Sequence, residues 1–393
     1  MKSVRKLLDK AKPNFESGGK LYFLHSFFDA METFLFVPDK VTEKGAHIRD
    51  AIDMKRTMIL VVVALMPAFL FGVWNTGFQF YFSRGIDAGF WQIVGYGLKM
   101  VIPLYLVSYG VGVGVEVIVA QIRKHEVNEG VFVTSFLIPL LLPADIPLWM
   151  LAVATAFAVL IGKEIFGGTG MNIMNPALLA RAFLFFAYPA WMSGDKVWVS
   201  GLTQGEGVVD GFTGATPLAQ AAAGSPHFTD GLGNTLSTMD LFIGAIPGSI
   251  GETSKLAILL GAALLLFAGI ASWRVMFSML IGGMSVGILM NVLGSTPFMQ
   301  IPFYDHLLIG SFLFGMVFMA TDPVTAAQTN TGKFIYGFLI GVMIMVIRVL
   351  NPAYPEGTML AILLMNVFAP LIDHYVVQAN ISKRLKRFKQ IKA

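Results

Sequence analysis

Charge placement is the strongest constraint on this chain. Of its 28 Lys/Arg and 24 Asp/Glu residues, 25 fall within residues 1–56 and 379–393, leaving a long, charge-poor middle. A soluble domain carries roughly 25% charged residues. Here 13% are charged and 55% are hydrophobic, too little polarity to cover a soluble surface. The expected fold is an all-α polytopic membrane protein with polar ends. Cysteine is absent, which excludes disulfides, thiolate zinc sites and cysteine-ligated iron–sulfur clusters. The histidines are scattered, with no close pair, and no metal site is expected. The net charge of +4 sits beside apolar segments, where it sets orientation and does not imply a nucleic-acid partner. The first 56 residues are too polar to supply the apolar region of a signal peptide.

A spanning helix needs about 20 mostly apolar residues. Ten elements are expected, near 57–79, 92–121, 130–144, 147–166, 176–193, 254–273, 275–294, 306–321, 333–350 and 357–378. Two of them, 130–144 and 306–321, are too short to cross alone. With both termini cytoplasmic, 23 Lys/Arg fall inside, including Arg123, Lys124, Lys163, Arg181, Arg274 and Lys333. Only Arg84, Lys99, Lys196, Lys255 and Arg348 fall outside, which agrees with the positive-inside bias. The chain then divides into a cytoplasmic arm (1–56), a first membrane repeat (57–193), an extracytoplasmic segment (194–253), a second repeat (254–378) and a basic tail (379–393). The outer segment is mostly acidic, with Asp195, Glu206, Asp210, Asp230, Asp240 and Glu252.

The two membrane regions share words at a fixed offset of 176 residues. Ser135-Phe136-Leu137 recurs as Ser311-Phe312-Leu313, Pro147 as Pro323, and Asn175-Pro176-Ala177 as Asn351-Pro352-Ala353. Under the orientation above, the copies run in opposite directions, as in inverted-repeat transport folds. Each short element ends in an acid followed closely by proline, at Asp145-Ile146-Pro147 and Asp322-Pro323. Proline cannot freely continue a preceding helix. The expectation is a pair of half-helices, or else two ordinary loops at the membrane surface.

The outer segment contains Asp210-Gly211-Phe212-Thr213-Gly214-Ala215-Thr216-Pro217. Thr216 is a good helix N-cap and Pro217 suits the first helical position. On spacing alone, a cap after a Gly-rich turn explains the stretch. The same residues resemble the pattern Asp-Gly-x-[Ser/Thr]-Gly-Ala-[Ser/Thr], on which a flavin transferase attaches FMN through a phosphoester. The family resembled is the B subunit of the Na+-translocating NADH:quinone reductase. Further words carry the likeness along nearly the whole chain. They include Phe15 to Lys20, His47-Ile48-Arg49-Asp50, His125 to Gly130, Gly167-Gly168-Thr169-Gly170, Arg181 to Pro189 and Gly251-Glu252-Thr253-Ser254.

The resemblance implies a bacterial inner-membrane component of a redox-driven sodium pump. FMN would be esterified to Thr216, with Asp210, Thr213, Gly214 and Ala215 completing the attachment site. It further implies non-covalent riboflavin at Asn172 and Asn175, residues otherwise explained by a Gly-rich turn. Ubiquinone is implied near Gly112, Phe183 and Phe185, and Na+ entry at Glu116 and Asp373. The family's glycine pair before Glu116 is incomplete here, because Val113 stands where the second would be. Phe183 and Phe185 are otherwise plain packing, and Glu116 and Asp373 otherwise interfacial acids. Gly110, Gly112 and Gly114 alternate in an apolar span and read as a close helix contact. They are no dinucleotide site, which would need a strand and a βαβ unit.

NADH oxidation must therefore lie on a partner. Implied partners are that NADH-oxidising subunit, an extracytoplasmic flavin subunit, the flavin transferase and membrane lipid. The alternatives are the D subunit of the Rnf-type ferredoxin:NAD+ oxidoreductases, which shares the flavin pattern, and a flavin-free inverted-repeat transporter.

Overall fold

The computed structural model describes residues 2–16, 18–22, 25, 28, 32, 36, 42–46, 48 and 54–392, except 124–126, 204, 206, 226, 352 and 353. Ser17, His47, Arg49, Asp50, Lys124, His125, Glu126, Glu206, Pro352 and Ala353 therefore lie outside the described residues.

The ten expected elements are all helical: α1 (Met54–Phe82), α2 (Phe90–Arg123), α3 (Gly130–Leu140), α4 (Leu148–Leu160), α5 (Pro176–Ala187), α6 (Lys255–Phe267), α7 (Trp273–Leu293), α8 (Phe312–Phe314, continued by a π turn over Gly315–Met319), α9 (Asn330–Leu350) and α10 (Thr358–Lys392). Among the described residues no strand forms, only a single bridge between Thr229 and Thr235. Among the described residues six helices are long and apolar enough to cross a membrane, while α3, α5 and α6 are shorter apolar helices. The fold is all-α and polytopic. Helix α2 packs on α1, α3 and α4, α7 packs along α9, and α1 meets α6 to join the two regions.

The short elements are half-helices, and local chemistry explains their ends. Pro139 lacks the N–H that would serve the Ser135 carbonyl four residues earlier. Ser108 Oγ donates to that carbonyl instead, at 2.8 Å. Past the end of α3, the Leu140 carbonyl accepts from Gly251 N at 2.8 Å and Leu142 from Ile250 N at 3.3 Å. At the end of α8, Asp322 accepts from Val324 N at 3.0 Å and Thr325 Oγ1 at 3.1 Å. Gly130, which begins α3, lines one cavity together with Thr321 and Asp322, which follow α8. The other end of α3 meets the outer segment, and Ser311 before α8 donates to Glu356. The two half-helices thus run in opposite directions.

Several boundaries differ from expectation. The 306–321 element is a helix over Phe303–Leu308, a break at Ile309–Ser311 with Gly310 at φ +66°, and then α8. The 176–193 element breaks at Tyr188, whose φ of −135° and ψ of 60° leave the helical region before Pro189. The 254–273 element ends at Phe267, where Gly269 at φ +70° turns the chain toward α7. Helix α10 runs without interruption into the basic tail.

Arg181 is corrected too. It is not an inner-side charge but a buried group within the fold. Its Nη1 donates to Glu252 Oε1 at 2.5 Å and its Nη2 to Glu356 Oε2 at 2.6 Å. The positive-inside bias concerns residues in loops and at helix ends, and Arg181 lies mid-helix.

Candidate functional site

Two cavities bring candidate residues together, one beside the segment expected to lie outside (the outer cleft) and one at the opposite end of the half-helices (the inner cavity).

The outer one is an open cleft whose lining includes Trp198, Thr216, Glu252, Lys255, Gly310 and Glu356. Thr216 caps a short helix, Pro217–Ala222, accepting from Ala219 N at 3.1 Å, and is half-buried. The preceding residues form a fixed turn. Asp210 is exposed and Gly211 has φ +81°, a conformation that favours glycine. Thr213 N donates to the Gly231 carbonyl at 3.0 Å, and Thr213 Oγ1 accepts from Ala215 N at 3.2 Å. A Cβ at Gly214 would overlap the Asp195 carbonyl oxygen and lie 2.6 Å from Leu202. Glycine is therefore required there by close approach, and Thr213, Gly214 and Ala215 act by placing Thr216.

Behind the cleft lie charged groups that no sequence motif connects. Arg181 bridges Glu252 and Glu356, and Tyr354 Oη donates to Glu356 at 3.3 Å. Arg348 is 1% exposed and donates to the backbone carbonyls of His306 and Glu356. Lys255 Nζ donates to the Glu252 and Thr253 carbonyls at 2.8 and 3.0 Å.

The inner cavity has mostly apolar walls that include Leu137, Leu265 and Phe318. Its polar lining includes Lys163, Thr169, Asn172, Asn175 and Asp322. The structure thus brings both expected asparagines to one cavity, in different states. Asn175 Oδ1 accepts from Ala177 N and Leu178 N, capping α5, while its Nδ2 donates to Asp322 Oδ2 at 3.1 Å. Its oxygen is fully used, and one of its two amide protons is spent. Asn172 spends one proton on the Met174 carbonyl at 3.2 Å. Thr169 Oγ1 is buried without a hydrogen-bond partner, and such a group calls for a polar ligand or water.

Glu116 is fully buried. Its Oε2 pairs with Lys163 Nζ at 2.6 Å, and its Oε1 accepts from Asn128 N at 3.3 Å. Lys163 in turn approaches Glu164 at 3.6 Å, so Glu116 reaches the cavity through a lysine. Asp373 accepts from Gln328 N at 2.6 Å, Thr329 N at 2.9 Å and Thr329 Oγ1 at 2.6 Å. It anchors the start of α9 from α10.

None of the three expected quinone residues lines either cavity. A Cβ at Gly112 would overlap Ser135 Oγ, so Gly112 permits the crossing of α2 over α3, whereas Gly110 and Gly114 face open space. Phe183 stacks on Phe157 at 4.7 Å, while Phe185 meets Tyr354 edge-on at 4.5 Å. Replacing Gly112 with Ala should cost about 1–3 kcal/mol through overpacking, whereas Gly110→Ala should not destabilise. Denaturant titration in detergent compares them, and equal stability of the two variants would contradict the packing role.

The sequence alone could have flagged Arg181, Lys163 and Lys255, since a charge inside an apolar segment defaults to a functional candidate. Nothing local reveals their partners, which lie up to 175 residues away.

Comparison with known proteins covers both cavities. A sequence model of the NQR2, RnfD, RnfE family matches residues 41–382. The B subunit of the Na(+)-translocating NADH-quinone reductase of Ectopseudomonas mendocina is 50% identical over 409 aligned residues, covering 98% of this chain and 99% of that protein. Proteins of the same name from Pseudomonas aeruginosa (strain LESB58) and Azotobacter vinelandii are 50% and 49% identical over the same shares. With matched residues spanning every membrane helix, the chain belongs to the NQR2, RnfD, RnfE family.

Proposed function

We propose that this chain is the membrane subunit of a sodium-translocating NADH–quinone reductase, carrying FMN on Thr216 and riboflavin in the inner cavity. The observation that carries the reading is the placement of Thr216 on an open cleft that also presents an indole and a buried ammonium. An aromatic wall suits the face of an isoalloxazine ring, and the ammonium suits its polar edge. A threonine hydroxyl has one proton and two acceptor lone pairs. Esterification takes the proton and leaves the lone pair that caps the helix, so anchor and cap coexist. When bound, FMN would supply reversible electron transfer, and the protein supplies placement and electrostatics.

In the inner cavity, Thr169 and Asn172 have hydrogen-bonding capacity for riboflavin, and the apolar walls suit its ring. Asn175 fixes that cavity through α5 and Asp322. Electrons would start on the NADH-oxidising subunit, pass through an extracytoplasmic flavin subunit to this chain and leave to ubiquinone. Gly112, Phe183 and Phe185 remain the proposed quinone residues, as separate contributors. Glu116 and Asp373 remain proposed for Na+ entry.

The Rnf-type reading has the family model in its favour, since that description includes RnfD. The near-complete coverage by relatives named as quinone reductase subunits favours the present one.

The test is a denaturing gel of the chain co-produced with its flavin transferase. A band fluorescing at the mass of the chain is expected, and its absence would sink the covalent assignment. For sodium, Asp373→Ala should slow sodium-stimulated turnover several-fold while the fluorescent band persists. Unchanged sodium dependence removes Asp373 from the pathway.

A further inference from the structure

We infer that Lys255 sets the reduction potential of the flavin ring attached at Thr216, by holding an uncompensated positive charge against the cleft. The inference rests on the proposed attachment of FMN to that threonine.

Lys255 is 1% exposed yet makes no carboxylate ion pair among the described residues. Its ammonium spends two protons on the carbonyls of Glu252 and Thr253, out of three available. No described group accepts the third, and Lys255 lines the cleft together with Thr216 and Trp198. The carboxylates nearby, Glu252 and Glu356, are both engaged by Arg181. Arg348 is directed at backbone carbonyls. Three cations thus face two carboxylates, and one positive charge is left over in a buried setting.

Stabilising the helix does not explain a lysine here. Lys255 is the first residue of α6, where the helix dipole is positive and a cation is unfavourable. Ser254 already caps that helix through Ala257 N. Burying a charge without a partner is costly, so the position is rational if negative charge develops in the cleft during function. A flavin ring held there would gain one negative charge on taking up two electrons and one proton, which the reduced flavin of the proposed partner subunit would supply. Lys255 favours the reduced ring through a fixed charge that needs no reorganisation at the moment of transfer.

The test is a potentiometric titration of the covalent flavin in the assembled complex. Lys255→Gln keeps a donor and removes the charge. It should lower the stability of the reduced ring relative to the oxidised one about tenfold, a shift of about 30 mV downward for a two-electron couple. Lys255→Arg should stay near the wild type. Glu252→Gln keeps an acceptor for Arg181 and removes a negative charge, so it should move the potential upward. An unchanged potential in Lys255→Gln with its fluorescent band intact overturns the inference. If that variant does not assemble, Glu252→Gln carries the test, and an unmoved or lowered potential there overturns it. A wild type without a fluorescent band overturns the FMN assignment instead, so the two failures are distinct.

Discussion

Thr216→Ala is expected to abolish covalent flavin, leaving a non-fluorescent band at full protein yield, whereas Thr216→Ser should keep the flavin. Chemistry and stability separate cleanly here. Alanine removes the oxygen that would form the phosphoester, and the other hydroxyls on the cleft, Ser249 and Thr253, lie outside the motif. Thr213, the other hydroxyl of the motif, is not among the residues that line the cleft. The lost cap costs only about 1 kcal/mol, too little to unfold a chain of this size. Serine supplies both the ester oxygen and the cap.

Gly214→Ala tests the same site from the side. Its hydroxyl acceptor is intact, but the new methyl would collide with the Asp195 carbonyl and with Leu202. The turn must shift, and attachment should fall markedly without any change at Thr216. Fluorescence per mole of protein, read on a denaturing gel, ranks the variants. Flavin that survives Thr216→Ala would remove the assignment, and full attachment in Gly214→Ala would remove the argument that the turn places the acceptor.

The membrane architecture was legible because hydropathy and proline act locally. Ten apolar segments gave ten helical elements, and the acid–proline words marked where α3 and α8 end. Misread boundaries had local causes of another kind. Tyr188 leaves the helical region before Pro189, and Gly310 and Gly269 adopt positive φ, which apolar composition does not announce. The alternating glycines gave a half-truth. Only Gly112 meets a neighbour, because a period of two turns successive residues to different sides of a helix. At the sites, the motif around Thr216 was readable as a word. Its surroundings were not, since Lys255, Glu252 and Glu356 reach the cleft only through tertiary packing. Asn175 shows the same division. Its cap on α5 follows from Asn-Pro, but its bond to Asp322 spans 147 residues.

Arg181→Met is expected to destabilise the chain severely, by about 3–5 kcal/mol. The guanidinium is 4% exposed in its side chain and joins two carboxylates that come from different regions of the fold. Glu252 belongs to the outer segment just before α6, and Glu356 to the turn before α10. Removing the arginine leaves two buried acids without the group that ion-pairs them, because Lys255 and Arg348 are directed at backbone carbonyls. Methionine fills most of the volume, so the effect reports charge and hydrogen bonding more than a cavity. Lysine should rescue only partly, because a single ammonium lacks the planar fork that serves both carboxylates at once.

The partner substitutions discriminate further. Adding Glu252→Gln and Glu356→Gln to Arg181→Met should recover much of the loss, since the repelling charges vanish with their counter-ion. Thermal unfolding in detergent, followed by the fraction remaining soluble, measures all four proteins. An Arg181→Met chain as stable as the wild type would show that the triad does not hold the outer segment to the helices. A triple variant no better than Arg181→Met would assign the loss to packing. The triad ties residues on either side of the Thr216 cleft, so in Arg181→Met the covalent flavin should also become more accessible to soluble quenchers.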